Sequence, residues 1–209
     1  MAGVGIFGGT FDPVHFGHLR SAWDVMQALS LQEIQFIPSA QPVHRDVPAV
    51  TTEHRLAMLR LAIAEVPQWQ VSDCELQRGG PSYTYDTLTE MRQRVGADQP
   101  LWLLVGSDAF EGFVTWHRWQ EILTLANVAV MVRAGQLPVG CLQTERLLQS
   151  AAGADVQANA GQIQLVSVTA LAISATEIRQ SLGHGEVPHF LLPKIVLDYI
   201  DQHQLYRVS

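Results

Sequence analysis

The chain has 209 residues, of which 47% are apolar and 16% are charged, and its formal net charge is −7. This composition excludes a disordered chain, because enough apolar surface is present to build a sizeable core. The negative charge argues against nucleic-acid partners, since a general nucleic-acid binder needs a basic surface for the phosphate backbone. The length predicts one α/β domain spanning residues 1–209.

The two cysteines, Cys74 and Cys141, do not have the number or the spacing of a disulfide framework or a zinc cluster, so we expect two structural thiols. The first residues lack a basic segment followed by a long apolar run, and no other stretch is long and apolar enough to span a membrane. These features predict a cytoplasmic protein without a membrane partner, and they leave a homo-oligomer open.

The predicted elements alternate between strands and helices along the chain. Strands are expected at residues 3–7, 33–38, 70–74, 101–105, 127–132 and 162–168. Helices are expected at 17–29, 52–65, 85–95, 116–125, 174–182 and 193–203, with 134–161 as a surface excursion. This order predicts a parallel sheet with helices on both faces, and a small helical subdomain from about residue 174 over the carboxyl edge of the sheet. Ligands of such sheets bind outside the carboxyl ends of the strands.

The loop after the first strand reads Gly8-Gly9-Thr10-Phe11-Asp12-Pro13-Val14-His15-Phe16-Gly17-His18. Paired glycines let a backbone approach a phosphate closely, and a helix N-terminus offers N–H groups to an anion. His15 and His18 lie three apart at the predicted helix start, so they project to the same side. Two imidazoles there can stabilise charge in phosphoryl chemistry, at about 3 kcal/mol for one well-placed donor. A metal site with Asp12 and a structural histidine pair are the alternatives.

A second candidate segment near the other end reads Ile173-Ser174-Ala175-Thr176-Glu177-Ile178-Arg179. Local rules predict that Ser174 caps a helix and forms a capping box with Glu177. The capped end also presents backbone N–H groups, the Thr176 hydroxyl and the Arg179 guanidinium, which together can hold an anion.

Both segments resemble the signature motifs of the His-x-Gly-His nucleotidyltransferase superfamily. Residues 10–18 are similar to its first motif, and residues 173–179 are similar to its second motif, Ile-Ser-x-Thr-x-x-Arg. The resemblance implies a Rossmann-like, doubly wound sheet in which His15 and His18 contact a triphosphate. It also implies that Ser174, Thr176 and Arg179 hold the phosphates that leave as pyrophosphate.

The middle of the chain carries the candidates for the second substrate. The segment 81–88 leads into a helix that Thr84 can cap, and the first N–H groups of that helix would face an anionic group. Trp116 and Trp119 lie three apart in a predicted helix and so share one face. An indole there can pack in the core or stack on a flat heteroaromatic ring.

Nearly the whole chain resembles the bacterial nicotinate-nucleotide adenylyltransferase family, most closely at 8–19, 37–45, 81–88, 105–108, 116–119, 133 and 173–179. The resemblance implies that ATP and nicotinate mononucleotide give deamido-NAD and pyrophosphate, with Mg²⁺ bound to the phosphates. The catalytic residues would be His15, His18 and Arg179. The residues expected to bind ATP and its phosphates are Gly8, Gly9, Thr10, Phe11, Gly106, Asp108, Arg133, Ile173, Ser174 and Thr176. Those expected to bind nicotinate mononucleotide are His44, Arg45, Thr84, Tyr85 and Trp116.

Three positions depart from that family's usual pattern, and they concern loops rather than the reaction class. Val43 follows Pro42 where a second proline is common, Ala134 replaces a proline, and His117 stands where an aromatic such as tyrosine is common. The predicted helix start at Thr84 favours nicotinate over nicotinamide, because it offers donors only. It would leave an amide NH₂ unsatisfied, at a cost of about 1–3 kcal/mol.

Two kinds of alternative remain at this point. A sister enzyme could use nicotinamide mononucleotide or phosphopantetheine as the acceptor, although phosphopantetheine adenylyltransferases tend to be shorter and lack the Pro-Ser-Tyr-Thr segment at 81–84. A non-catalytic nucleotide sensor, or a phosphate-binding interaction module, could use the same fold. The intact motifs argue against the sensor, and a turnover assay separates it from an enzyme.

Overall fold

The computed structural model describes residues 3–42, 47–133, 142–150 and 158–207. Within these ranges the chain forms two parallel sheets, one of six strands and one of two. The strands in chain order are β1 (Val4–Gly9), β2 (Glu33–Pro38), β3 (Gln41–Pro42), β4 (Trp69–Val71), β5 (Pro81–Ser82), β6 (Leu101–Gly106), β7 (Asn127–Arg133) and β8 (Ile163–Val168). Strands β3 and β5 form the small sheet, and the others form the large one.

Helices connect the strands of the large sheet. In chain order they are α1 (Phe16–Ala28), α2 (Thr52–Ile63), α3 (Cys74–Arg78), α4 (Thr84–Val95), α5 (Ser107–Glu111), α6 (Trp119–Leu125), α7 (Leu142–Ser150), α8 (Ala175–Gly183) and α9 (Lys194–Gln202). A 3-10 turn at Phe113–Thr115 separates α5 from α6. Within the described ranges, none of these helices has the length and apolar character needed to cross a membrane.

The strand order of the large sheet is β4-β2-β1-β6-β7-β8. The chain therefore winds outward from β1 to one edge and then returns to β6, on the other side of β1, to wind toward the opposite edge. This order confirms the predicted doubly wound topology, and it places the topological switch point between β1 and β6. Ligands of open α/β sheets bind at that point.

Strands β1 and β6 part before they end. Their pairing runs from Val4↔Leu101 to Ile6↔Leu103. In contrast, β1 stays paired with β2 as far as Gly9↔Pro38, and β6 stays paired with β7 as far as Gly106↔Met131. A crevice therefore opens at the switch point, bordered by the carboxyl ends of β1 and β6.

The core lies on both faces of the large sheet, as expected for buried parallel strands. Leu103 belongs to one buried cluster and Leu104 to the other, because successive strand residues face opposite sides. The cluster that contains Leu104, called the first core cluster, includes apolar residues of α1, α2 and α9. The cluster that contains Leu103, called the second core cluster, includes residues of α4 and α6. Ile178 of α8 and Val196 of α9 also join the first cluster, so the C-terminal helices share the core of the sheet.

Two predicted elements are wrong at their boundaries. The strand expected at 70–74 ends at Val71, and Cys74 already begins α3. The helix expected at 116–125 begins only at Trp119, because Arg118 adopts a left-handed conformation with φ of 55°. Trp116 is extended, with φ of −70° and ψ of 149°, so the two tryptophans do not share a helix face.

The surface excursion expected at 134–161 contains a helix, α7, which the sequence analysis did not predict. Thr144 of α7 is fully buried, and its hydroxyl donates to the backbone oxygen of Glu111 at 3.3 Å. This helix is therefore packed against the turn after α5 rather than projecting from the sheet. Cys74 is a buried free thiol, as expected, whereas Cys141 lies outside the described residues.

Candidate active site

The two histidines of the first motif stack on each other at the start of α1. His15 occupies the N-cap position with an extended backbone, and His18 is the third residue of the helix. Their ring centroids lie 3.7 Å apart with an interplanar angle of 26°. The backbone N–H of His15 also donates to Nδ1 of His18 at 3.3 Å. The predicted projection of both side chains to one side is confirmed.

Burial keeps His15 neutral. Its side chain is 6% exposed, and desolvation lowers the pKa of His15 to about 4. A neutral imidazole carries one N–H donor, which suits a role in hydrogen bonding to phosphate oxygens rather than in supplying positive charge.

Gly17 makes room for the ring of His15. A Cβ atom at position 17 would lie 2.9 Å from Nδ1 and 3.0 Å from Cε1 of that ring. The space left by the missing side chain at position 17 is therefore occupied by the ring of the histidine that would contact the ligand.

The glycine pair at the end of β1 has two distinct roles. Gly8 is exposed, and a Cβ there would meet no atom within 4 Å, so its backbone is open to a ligand. At Gly9 a Cβ would lie 3.0 Å from Cζ of Phe11, so this glycine accommodates the Phe11 ring. Phe11 is buried, and its ring meets that of His18 edge-on at 5.1 Å. Because its side chain supports His18, only the backbone of Phe11 is left to contact a nucleotide.

Arg55 of α2 is hydrogen-bonded to the loop of the first motif, and it was not among the predicted site residues. Its side chain is fully buried. Nη1 donates to the carbonyl oxygen of Thr10 at 2.7 Å, and Nη2 donates to that of Ser39 at 2.8 Å. The arginine thereby ties the loop after β1 to the loop after β2. The sequence held one signal for this role. Arg55 lies four residues before Leu59 and therefore on the same, apolar face of the predicted helix, where a charged residue is unusual.

Asp12 is a buried polar residue of the loop after β1, with 4% of its surface exposed. Oδ1 accepts a hydrogen bond from the hydroxyl of Tyr206 at 2.7 Å, and Oδ2 accepts one from the backbone N–H of Ala49 at 2.7 Å. Both oxygens therefore have donors other than the histidines. In the part of the chain that the structure describes, no three His, Cys, Asp or Glu side chains form a metal-binding group. The geometry thus gives no support to a metal site with Asp12.

The second motif begins α8. Ser174 has the extended backbone of an N-cap residue, with φ of −117° and ψ of 130°, so its predicted position is confirmed. The predicted capping box is wrong, because the Ser174 side chain forms no capping hydrogen bond with the described residues. Glu177 is exposed and remains solvated instead of folding back on the helix start. The Ser174 side chain therefore does not cap α8.

Arg179 joins the two motifs. Its Nη1 donates to the carbonyl oxygen of Asp12 at 2.7 Å, and its Nη2 donates to the hydroxyl of Thr176 at 3.3 Å. Ile173 also approaches the first motif, since its Cβ would lie 3.7 Å from a Cβ at Gly17. The structure thus brings together the two ends of the chain that the sequence analysis singled out.

Three further residues predicted to bind ATP lie at the carboxyl ends of β6 and β7. Gly106 ends β6, Asp108 is exposed in the following helix α5, and Arg133 is the exposed last residue of β7. Because parallel strands end at the same edge of a sheet, these residues lie at the edge that carries Gly8 and the histidines.

The region predicted to bind nicotinate mononucleotide is built around the start of α4. Tyr83 occupies the N-cap position and Thr84 is the first helical residue, so the prediction that Thr84 caps the helix is wrong. The first two N–H groups of a helix have no intrahelical partners, here those of Thr84 and Tyr85, whereas the N–H group of Asp86 donates to the carbonyl oxygen of Tyr83 at 3.1 Å. The half-buried Trp116 packs against the second core cluster, 5.4 Å from the ring of Phe113.

The segment after Trp116 folds over α4. The guanidinium carbon of Arg118 lies 3.7 Å above the ring of Tyr85, and the ring of His117 lies 4.5 Å from that of Tyr83. His117 and Arg118 were not among the predicted site residues. The contacts place both beside the start of α4.

The small sheet connects this region to the loop after β2. The hydroxyl of Ser82 in β5 accepts hydrogen bonds from the backbone N–H groups of Ala40 and Gln41, at 2.9 and 3.2 Å. His44 and Arg45, which follow on that loop, lie outside the described residues.

The chain is similar to known proteins over nearly its whole length. Residues 6–181 match the model of the family described as cytidylyltransferase-like. The chain is 47% identical over 209 residues to the "Probable nicotinate-nucleotide adenylyltransferase" of Pseudomonas fluorescens, covering 98% of this chain and 97% of that protein. It is 47% identical over 214 residues to the protein of that name from Dechloromonas aromatica, covering 99% and 98%.

Among solved structures, the fold is similar to that of Plasmodium falciparum nicotinic acid mononucleotide adenylyltransferase complexed with NaAD. The TM-score is 0.74 at 19% sequence identity, with 99% of this chain and 98% of that chain covered. At this low identity the likeness shows the fold alone, and it confirms the predicted Rossmann-like architecture.

Proposed function

The chain belongs to the nicotinate-nucleotide adenylyltransferases of the cytidylyltransferase-like family, and from this membership we propose that it transfers the adenylyl group of ATP to nicotinate mononucleotide. The products are deamido-NAD and pyrophosphate, which places the enzyme in NAD biosynthesis. The observation that carries the reaction is the 2.7 Å hydrogen bond from Arg179 to the carbonyl oxygen of Asp12. It joins both phosphate-binding motifs beside the switch-point crevice. The names of the relatives support the choice of acceptor.

The transfer is an in-line displacement at the α-phosphorus of ATP. An oxygen of the mononucleotide phosphate forms the new bond, while the bond between the α-phosphorus and the bridging oxygen of the leaving pyrophosphate breaks. The attacking oxygen is already ionised, so positioning and electrostatic stabilisation are sufficient without a general base. His15 and His18 donate hydrogen bonds to the oxygens of the transferred phosphorus. Arg179, with Ser174 and Thr176, stabilises the leaving pyrophosphate.

Mg²⁺ is proposed to arrive with ATP. Both carboxylate oxygens of Asp12 already accept hydrogen bonds from other groups. In residues 3–42, 47–133, 142–150 and 158–207, no cluster of three metal-binding side chains is present. Such a lining fits an ion that is held mainly by phosphate oxygens and water. When bound there, the ion neutralises negative charge on the phosphates.

The remaining contacts to ATP are assigned by position. Gly8, exposed at the end of β1, offers its backbone to the phosphates. Gly106 and Asp108 would lie near the adenosine, at the other border of the crevice. The other members of the proposed ATP site are Gly9, Thr10, Phe11, Arg133 and Ile173.

The start of α4 is proposed to bind the nicotinate carboxylate. The N–H groups of the first turn, including those of Thr84 and Tyr85, are donors only. A carboxylate satisfies such donors, whereas an amide would direct its NH₂ group at another donor. Trp116 would pack against the pyridine ring, and His44 and Arg45 would contact the phosphate of the mononucleotide.

Pyrophosphate release with ATP and Mg²⁺ tests the proposal. Nicotinate mononucleotide, nicotinamide mononucleotide and phosphopantetheine are compared as acceptors at equal concentrations. We expect release with nicotinate mononucleotide to exceed release with nicotinamide mononucleotide by about tenfold or more, as one mispaired buried amide implies. We also expect it to exceed release with phosphopantetheine, which has no pyridine carboxylate for the α4 start to bind.

Other outcomes of that assay favour other functions. Faster release with nicotinamide mononucleotide or phosphopantetheine would keep the transfer reaction but contradict the acceptor and the role of the α4 start. Binding of ATP without release from any acceptor would favour a nucleotide sensor. The cytoplasmic location, the homo-oligomer and the absence of nucleic-acid partners stay predictions from sequence.

A further inference from the structure

The C-terminal segment supplies a contact to the candidate active site that no motif accounts for. The match to the cytidylyltransferase-like family ends at residue 181. Tyr206 lies beyond that match, four residues after the end of α9. Its hydroxyl nevertheless donates to Oδ1 of Asp12 at 2.7 Å, across 194 positions of sequence.

The end of the chain is held in place for this contact. The backbone N–H of Leu205 donates to the carbonyl oxygen of Ile200 at 3.0 Å, and the Leu205 side chain is buried in the first core cluster. Tyr206 follows with a left-handed backbone, φ of 63°, which a tyrosine rarely adopts. Its half-buried ring packs against the same cluster. The surrounding structure thus maintains an uncommon backbone conformation that directs the hydroxyl toward Asp12.

Asp12 is the point at which Tyr206 and Arg179 meet. Tyr206 binds its carboxylate, and Arg179 binds its carbonyl oxygen at 2.7 Å. The hydrogen bond from Tyr206 therefore restrains the same residue whose carbonyl group holds the Arg179 guanidinium. Burial and the charge of Asp12 raise the pKa of Tyr206, so the hydroxyl remains a hydrogen-bond donor at physiological pH.

Tyr206 and Arg179 also line one cavity of about 300 Å³, together with Thr176, Gln180, Gly183 and His184. Both terminal nitrogens of Arg179 are engaged: Nη2 donates to the hydroxyl of Thr176 on α8, and Nη1 donates to the carbonyl oxygen of Asp12, whose carboxylate Tyr206 holds. We propose that Tyr206 is a positioning residue for adenylyl transfer, which fixes Asp12 so that Arg179 faces the departing pyrophosphate. This inference rests on the proposed function.

Tyr206→Phe removes the hydroxyl and keeps the ring. We expect kcat/KM for ATP to fall about tenfold, because a displaced catalytic group loses transition-state contacts steeply with distance. We also expect weaker product inhibition by pyrophosphate, while KM for nicotinate mononucleotide stays within about twofold of the parent value. Loss of a merely structural tyrosine would not change kcat/KM for ATP while leaving KM for nicotinate mononucleotide unchanged.

Tyr199→Phe is the matched control. Tyr199 also lies in the C-terminal segment, and its hydroxyl is hydrogen-bonded to Nδ1 of His54 at 3.0 Å, away from the first motif. It loses the same group from the same part of the fold. We expect its kinetic constants to match those of the parent enzyme, with at most a lower melting temperature.

A double-mutant cycle identifies the route of the effect. If Tyr206 acts through Arg179, the loss caused by Tyr206→Phe shrinks to less than about twofold when Arg179 is already Lys. Additive losses, or parent kinetics in Tyr206→Phe, would overturn the inference. Equal losses in Tyr199→Phe and Tyr206→Phe would do the same. Failure of the parent enzyme to adenylate nicotinate mononucleotide would instead overturn the proposed function, so the two failures are distinguishable.

Discussion

Replacing Gly17 by Ala would separate folding from catalysis at the histidine pair. The added Cβ would lie 2.9 Å from Nδ1 and 3.0 Å from Cε1 of His15. Carbon contacts are favourable at about 3.5–4.0 Å, so the ring must move by about 0.5 Å or more. It cannot move freely, because it is buried and stacked on His18 with centroids 3.7 Å apart.

The magnitude follows from this displacement. A misplacement of about 1 Å costs on the order of 100-fold in rate, so half of it predicts a kcat about tenfold lower. Folding stability should change in the opposite sense or very little. Alanine is favoured over glycine in a helix by up to about 1 kcal/mol, which offsets the local overlap. We therefore expect a melting temperature within a few degrees of the parent value, at about 4 °C per kcal/mol.

The assay measures initial rates of pyrophosphate release with ATP and nicotinate mononucleotide, alongside thermal unfolding. Gly112→Ala is the control, because a Cβ there would lie 3.8 Å from Oγ1 of Thr115, in ordinary contact. Its rate should equal that of the parent. Parent-like kcat in Gly17→Ala would refute the reasoning, and so would a loss of rate that merely follows the loss of folded protein.

Three further predictions concern the loop after β1 and the arginine that supports it. His18→Ala should lower kcat by about 100- to 1000-fold while ATP still binds in calorimetry, because one transition-state donor is lost; near-parent turnover contradicts its role. Since burial lowers the pKa of His15 from 6.5 to about 4, the folded state binds fewer protons than the unfolded chain in that range. The free energy of unfolding therefore has its full value above pH 6.5 and is about 2 kcal/mol lower at pH 5. Urea titrations should detect this decrease, and it should be absent in His15→Gln. A pH-independent stability in that window would contradict the burial argument. Arg55→Met leaves the carbonyl groups of Thr10 and Ser39 without their donor and should cost about 2–4 kcal/mol in urea unfolding. Arg60→Met on the exposed face of α2 should cost less than about 0.5 kcal/mol, and equal costs would count against the role given to Arg55.

Features that depend on local spacing could be predicted from the sequence. The alternation of apolar strands and helices predicted the parallel sheet, and the observed strand order is that of a doubly wound sheet. The placement of His15 and His18 on the same side follows from a spacing of three residues at a helix start, whereas the stacking of their rings is a finding of the structure. The neutral donor role of His15 required the structure, because the burial that lowers its pKa depends on packing around the imidazole, including the close approach of Gly17.

Features that depend on long-range contacts could not be predicted. Arg55 was visible only as a charged residue on an apolar face, and nothing in its neighbourhood pointed to the carbonyl group of Thr10. The contact between Tyr206 and Asp12 spans 194 positions and has no local signal. The helix start at Trp119 was misplaced because an uncommon left-handed residue, Arg118, interrupts an otherwise helical pattern.

The parting of β1 and β6 has a consequence for how a nucleotide is received. Past Ile6 and Leu103 the two strands no longer bond to each other, so the middle of the sheet gains two short internal edges. Backbone N–H and C=O groups along a strand edge seek partners, as they do at the rim of any sheet. A nucleotide in this gap, between Gly8 and Gly106, would form hydrogen bonds with backbone groups of β1 and β6 that the two strands do not form with each other.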